Sequence, residues 1–382
     1  MIIRMFGLFE TGVFMKLSFL VFLLCVLISV KNQTAETKKG SSTGKWSSSV
    51  SSPILLKSFQ SRRIFLSTKN EKVEDSSPRA LEYNFYRDSC PQAEEIIRTM
   101  IRQMYKVRPN VVPALLRLVF HDCFVEGCDA SVLLDATDEI DSEKEAPPNE
   151  TLKGFDVIDI IKSELEEACP RLVSCADILV LAAREAVVQA GGPFYPLYTG
   201  RRDSAFSFGE AATYELPSPH EDLSKTIASF ASRGFDERET VSLLGAHSVG
   251  VIHCKFFQNR LYNFGGTYEP DPSLDIEFLN LLRSKCNNSH TSPEESQMEM
   301  NYEGTGSSFG TLYFRSLLLG RGILYADQQL MAGEGTGIWV RAYASDAFLF
   351  RRDFAQVMMK LSNLRVLTAP MGQVRRNCSK VA

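Results

Sequence analysis

Between Arg117 and Ser131 the chain reads Arg-Leu-Val-Phe-His-Asp-Cys-Phe-Val-Glu-Gly-Cys-Asp-Ala-Ser, placing a guanidinium, an imidazole, carboxylates and two thiols in one short stretch. The recurrence of Val111, Val112, Leu115, Leu118 and Val119 predicts a helix over 111–120. Arg117 and His121 then stand at i and i+4, about 6 Å apart along the axis. A cation and a titratable base would share one pocket, which is what proton-transfer chemistry needs. Alone, such a pair reads as a surface cation and a carbonyl-satisfied helix-end histidine.

A second histidine lies in Leu-Leu-Gly-Ala-His-Ser-Val-Gly, 243–250, at the end of a helix opened by Asp236. The small residues around His247 leave room for something bulky. By itself His247 reads as a core histidine. If it bound a metal, the partner to look for is a carboxylate taking its other ring proton, and Asp327 is the candidate.

Amphipathic patterns predict further helices at 154–168, 174–189, 223–232, 236–244, 256–264, 278–285, 309–319 and 344–361, with a helix start near Ser89 and Pro91. Strand patterns are few and short. The expected body is a mostly α domain, made of two parts around a pocket. No Gly-x-Gly-x-x-Gly, phosphate loop or Gly-x-Ser-x-Gly elbow occurs, which removes the usual support for nucleotide or serine-hydrolase chemistry.

The 382 residues are 44% hydrophobic and 23% charged, with a formal charge of -4. No long basic block is present, so nucleic acid is not an expected partner. An apolar run at 17–30, about 14 residues, is short of the roughly 20 that span a bilayer and reads as a signal peptide or signal anchor over 1–30. Residues 31–80 are a Ser- and Lys-rich extension expected to be disordered. The folded domain is expected over 81–382, with no stable membrane span once the leader is removed. Behind a secretory leader, the eight cysteines other than Cys25 imply disulfides, although eight allow 105 pairings. Cys123 and Cys128 are close enough to bridge if Gly127 lets the chain turn. Zinc would need a second cluster of ligands that the sequence does not offer.

The segments 117–131 and 245–250 resemble the distal and proximal haem signatures of the secretory plant (class III) haem peroxidases. Tyr83 to Cys90, Gly-Phe-Asp-Val-Ile-Asp at 154–159, Ser-Cys-Ala-Asp-Ile at 174–178, Gly-Arg-Arg-Asp at 200–203, Leu-Pro-Ser-Pro at 216–219, Asp327-Gln328 and Arg-Asn-Cys at 376–378 follow in that family's order. The resemblance implies a secreted haem b enzyme that reduces hydrogen peroxide to water and oxidises small phenolic donors in one-electron steps. It implies a monomer in the extracellular space or cell wall, with the vacuole as an alternative destination.

Residue by residue, it makes His247 the axial ligand, held by Asp327, and His121 the distal base, with Arg117 stabilising the developing charge. Asn149 resembles the asparagine that accepts the distal Nδ1 proton. Asn149 also heads a glycosylation sequon, as do Asn32, Asn287 and Asn377. Phe120 would wall the pocket, and the Pro217 carbonyl would meet aromatic donors. A distal calcium is implied at Asp122, Asp129 and Ser131 with the Val125 and Gly127 carbonyls, Glu143 anchoring it through water. The implied bridges are Cys90–Cys169, Cys123–Cys128, Cys175–Cys378 and Cys254–Cys286. The proximal calcium site departs from the pattern. Ser248 stands at the usual threonine position, Gly310 replaces one aspartate, and Asn301 or Tyr302 replaces the other, so that ion is expected to be weak or absent.

Overall fold

The computed structural model describes residues 80–286, 296–300 and 309–382. The leader, all but the last residue of the 31–80 extension, Asn301 and Tyr302 lie outside them. All described residues fall in one compact unit, Val73–Ala382. It is mostly helical, as expected, with two short antiparallel strand pairs. β1 (Glu82–Tyr83) pairs with β2 (Tyr198–Thr199), and β3 (Val251–His253) pairs with β4 (Gln297–Glu299).

The framework around His121 is a packed set of four helices, α1 (Ala93–Val107), α2 (Val111–Phe124), α3 (Phe155–Ala168) and α4 (Cys175–Gln189). α1 turns Ala93, Ile97 and Ile101 inward at four-residue spacing, one apolar stripe on a helix otherwise exposed or half-buried. α4 is buried on nearly all sides, and its alanines at 182, 183 and 186 let α1 and α2 approach closely. Ser174 caps α4 by accepting from the Asp177 amide at 3.1 Å. α2 buries Leu115 and Leu118 completely. Truncating either to alanine would cost about 2–5 kcal/mol and loosen the helix that carries Arg117 and His121.

The chain continues through α5 (Gly209–Glu215), α6 (Leu223–Ser232) and α7 (Glu237–Leu244). Asp236 and Glu239 close a reciprocal capping box at the start of α7. The helix tightens into a 3-10 turn, Gly245–Ser248, that presents His247. Then come α8 (Gln258–Tyr262), α9 (Ile276–Cys286), α10 (Leu312–Leu318), α11 (Tyr325–Gln329), α12 (Glu334–Ser345) and α13 (Ala347–Leu361). A smaller core of Cys254, Phe257, Leu261, Phe278, Leu282, Met298 and Ile323 includes the buried Met298 of β4.

Several expected helices change shape. The one at 256–264 shrinks to α8 between 3-10 turns, and the one at 309–319 begins only at Leu312. The run at 344–361 is two helices, because Asp346 leaves helical geometry and caps α13 through the Phe348 and Leu349 amides, both at 2.9 Å. α12 was not legible: its opening Glu-Gly-Thr-Gly has low helix propensity, and packing of Val340 and Tyr343 into the core supplies what propensity does not.

The disulfides join the four pairs that the family pattern implied. Three close loops of 79, 203 and 32 residues, each worth about 4 kcal/mol or more if chain entropy dominates. Gly127 has φ +129°, and an added Cβ would lie 2.6 Å from the Arg365 carbonyl oxygen, so only glycine permits the turn between Cys123 and Cys128.

Candidate active site

α2 runs on to Phe124, four residues beyond its sequence pattern, and so keeps Arg117 and His121 on one helical face. Arg117 Nε donates to His121 Nε2 at 3.3 Å. The His121 Nδ1–H is given to Asn149 Oδ1, 2.5 Å away, with the proton assigned by this network. Asn149 is itself fixed, its amide donating to the Glu143 carbonyl at 2.8 Å. These contacts define one tautomer, with Nδ1 protonated and Nε2 the unprotonated nitrogen, which here accepts from Arg117 Nε. Burial, and then the neighbouring Arg117 charge, pushes His121 down to about 3, against a smaller upward pull from Asn149. Burial lowers Arg117 only to about 10, so it stays a cation at neutral pH.

Two contacts of Arg117 were not foreseen. Nη1 donates to Thr151 Oγ1 at 2.9 Å and Nη2 to the Pro148 carbonyl at 2.8 Å. With Nε occupied by His121, the guanidinium is clamped on three sides. The available signal was the Asn149-Glu150-Thr151 sequon, both ends of which point into this network. Asn149 is 3% exposed. Phe120 lies against Phe124 and Phe230, with centroids 4.4 and 5.9 Å away, and edge-on to His121 at 5.9 Å.

Directly beyond His121, Asp122, Asp129, Ser131 and Glu143 are buried together. Asp122 Oδ2 accepts from the Ala130 amide at 3.2 Å, while Oδ1 has no partner among the described residues. Burial, then repulsion from Asp129 and Glu143, holds the Asp122 carboxyl well above the usual range. Burial pushes Asp129 up to about 6 and Glu143 up to about 7. An orphaned carboxylate oxygen among crowded acids suits a hard cation. No three acidic, histidine or cysteine side chains among the described residues converge closely enough to hold a metal by themselves, so hydroxyl and carbonyl oxygens would have to complete the set. Arg375, three residues before Cys378, was not anticipated. It is fully buried, donates to the Ala130 carbonyl at 2.5 Å and lowers the acids it faces.

On the other side, His247 Nδ1 lies 2.9 and 3.1 Å from the two carboxylate oxygens of Asp327, 80 residues later in the chain. Burial alone would lower this ring, but Asp327 more than offsets it and the pKa rises above the ordinary value, while Arg117 works in the opposite sense. Arg117's charge is therefore felt at both histidines. The His247 side chain keeps 37% of its surface open although burial is the largest influence on it, as for a ring bordering an interior space. Tyr313, also missed, donates its hydroxyl to Asp327 Oδ1 at 2.8 Å. The small residues near His247 make room for protein: a Cβ on Gly245 would lie 2.5 Å from Phe350, and one on Gly250 2.7 Å from Pro113.

Pro217 is half-buried, and two residues later the Pro219 carbonyl accepts from the Ala326 amide at 3.1 Å, tying this segment to the helix of Asp327. Ser248 is buried, its Oγ without a partner among the described residues.

The peroxidase family model matches residues 97–346, a span that holds both histidines and Asp327. The chain belongs to the peroxidase family, in its class III plant branch. Curated relatives from Arabidopsis thaliana include Putative Peroxidase 48, 53% identical over 340 residues, covering 81% of this chain and 84% of that one. Peroxidase 57 is 43% identical over 300 residues, 78% of this chain and 92% of its own. Peroxidase 9 is 42% identical over 312 residues, 81% and 89% respectively. This chain is thus a peroxidase enzyme, of a family that uses haem, hydrogen peroxide and donor substrates and whose plant members are typically secreted. No helix among the described residues is long and apolar enough to cross a membrane.

Proposed function

We propose that the chain reduces hydrogen peroxide to water and oxidises small phenols in one-electron steps, with haem b held between His247 and His121. The observation that carries this reading is the pair of oppositely dressed histidines, both sensing Arg117. His247 would hold the iron through Nε2, since Asp327 occupies Nδ1. Bound haem would supply the iron that takes up the two oxidising equivalents of peroxide and passes them singly to donors.

The chain's own residues do the rest. His121 Nε2 takes the proton from the incoming peroxide and returns it to the departing oxygen. Arg117 stabilises the negative charge on that oxygen; Thr151 and the Pro148 carbonyl hold its two Nη groups in place, while its Nε–H leaves His121 Nε2 as that nitrogen takes the proton. Asn149 holds the tautomer that leaves Nε2 available. Asp327 would make His247 a stronger electron donor to a bound iron. Phe120 would wall the haem pocket, and the Pro217 carbonyl would meet aromatic donors. One calcium, at Asp122, Asp129 and Ser131 with the Val125 and Gly127 carbonyls, would brace the end of α2, Glu143 linking that site to Asn149 through its carbonyl. The leader, the extension and secretion to the cell wall belong to the same reading.

The test is turnover of guaiacol by the haem-loaded chain. His121→Leu should keep its haem and lose about 10³-fold in peroxide reactivity; a variant as fast as wild type would overturn the assignment.

A further inference from the structure

Asp327 Oδ1 is shared by two donors, His247 Nδ1 at 2.9 Å and the Tyr313 hydroxyl at 2.8 Å. Asp327 is 1% exposed and Tyr313 7%, so bulk water does not compete for either bond. We propose that Tyr313 is a positioning residue that sets how strongly His247 donates to iron, by drawing part of the Asp327 negative charge away from the imidazole. This rests on His247 being the axial ligand.

A carboxylate oxygen that already accepts from a hydroxyl is a weaker acceptor for the next donor. The His247 Nδ1–H bond is then less stretched toward the carboxylate, and the ring less imidazolate-like, than Asp327 alone would make it. The tyrosine is well placed for this. Its ring stands edge-on to His247, with centroids 6.1 Å apart and planes at 81°, so it walls the imidazole while its hydroxyl reaches the carboxylate behind it. α10 is anchored by Arg315, whose Nε donates to the Ala344 carbonyl at 3.0 Å, and by Phe314, whose ring stands edge-on to Phe350 of α13 at 4.8 Å. The nearby buried cation, Arg260, gives its hydrogens elsewhere: to Asp271 at 2.8 Å and to the Gly322 and Ile323 carbonyls at 2.6 and 2.8 Å. It therefore leaves the direct contact with Asp327 to Tyr313 and His247.

The experiment uses the haem-loaded full chain and two readouts: the ferrous iron–histidine stretch by resonance Raman, and the ferric/ferrous midpoint potential by spectroelectrochemistry. Tyr313→Phe keeps the ring and removes the donor. It should raise the stretching frequency and shift the potential to more negative values. Replacing the Tyr313 ring with 3-fluorotyrosine, a stronger donor of nearly the same shape, should move both the other way, which guards against a packing artefact. In an Asp327→Asn background Tyr313→Phe should produce no such shift. A Tyr313→Phe protein with unchanged stretch and potential, or with the same shift when Asp327 is already asparagine, overturns the proposal while leaving His247 as ligand. An iron–histidine band that is absent from wild type, or that survives in His247→Gly, overturns the ligand assignment and this inference with it.

Discussion

His121 and His247 both surrender Nδ1 to a side-chain oxygen, but the oxygen differs. Asn149 offers a neutral amide at 2.5 Å, while Asp327 offers a carboxylate at 2.9 and 3.1 Å. Burial and the Arg117 charge therefore win at His121 and push it down to about 3, whereas at His247 the carboxylate outweighs burial and the pKa rises. In the proposed reading the first ring would serve as an uncharged base and the second as a strong electron donor to iron. The acceptor on Nδ1, more than the imidazole, decides which.

Exchanging the acceptors is the sharpest way to break that contrast. Asn149→Asp would place a charge against His121, raise the ring's pKa by roughly 1–3 from about 3, and slow the peroxide reaction by up to about 100-fold near pH 4, where the base would then be protonated. The loss should shrink as pH rises, which stopped-flow mixing with peroxide would reveal. Asp327→Asn would give His247 the neutral partner of the distal side. It should cost about 10- to 100-fold in peroxide reactivity or metal affinity, read from stopped-flow rates and haem dissociation.

The acidic cluster behind His121 sharpens the same contrast through the cation. Asp129 and Glu143 sit near 6 and 7 when folded, against 3.8 and 4.5 as their ordinary values. Between those limits the cation-free fold binds more protons than the unfolded chain, so its stability falls as pH rises from about 4 to 7. Bound calcium would replace those protons. A chelator should therefore lower the melting temperature most at pH 7–8 and very little near pH 4. Metal analysis should find one tightly held calcium per chain and not two.

The smallest expected effect is on the pH profile. With His121 near 3, the ring stays a competent base down to about pH 4, and the peroxide rate should fall only below that. An acid limb centred near histidine's ordinary 6.5 would mean the ring is far more solvated than this geometry implies.

The Arg117–His121 pair was legible because both residues lie in one segment, whereas Asn149, 28 residues on, was named only through the family resemblance. The i, i+4 spacing placed Arg117 and His121 on one face, and α2 has that face. The proximal side was legible in part. Asp327 could be named as a partner, but 80 residues of intervening chain hid its approach to His247, and Tyr313 carried no pattern at all. Thr151 was masked by its place in a sequon, and Arg375 by the cysteine motif beside it. Tertiary packing decided the rest: α12 forms despite Gly335 and Gly337 because its apolar face is buried, while Asp346 divides what read as one helix. Local periodicity records which face of an element is buried. It does not record which distant hydroxyl or guanidinium will meet that face.

Hemin titration of the purified, oxidised chain, followed at the Soret band in wild type, His121→Leu and His247→Leu side by side, tests the opposed roles of the two rings most directly. Wild type and His121→Leu should take up hemin alike with a histidine-ligated spectrum, and His247→Leu should lose that spectrum. A Soret band unchanged by the loss of the residue 247 ring would contradict the account.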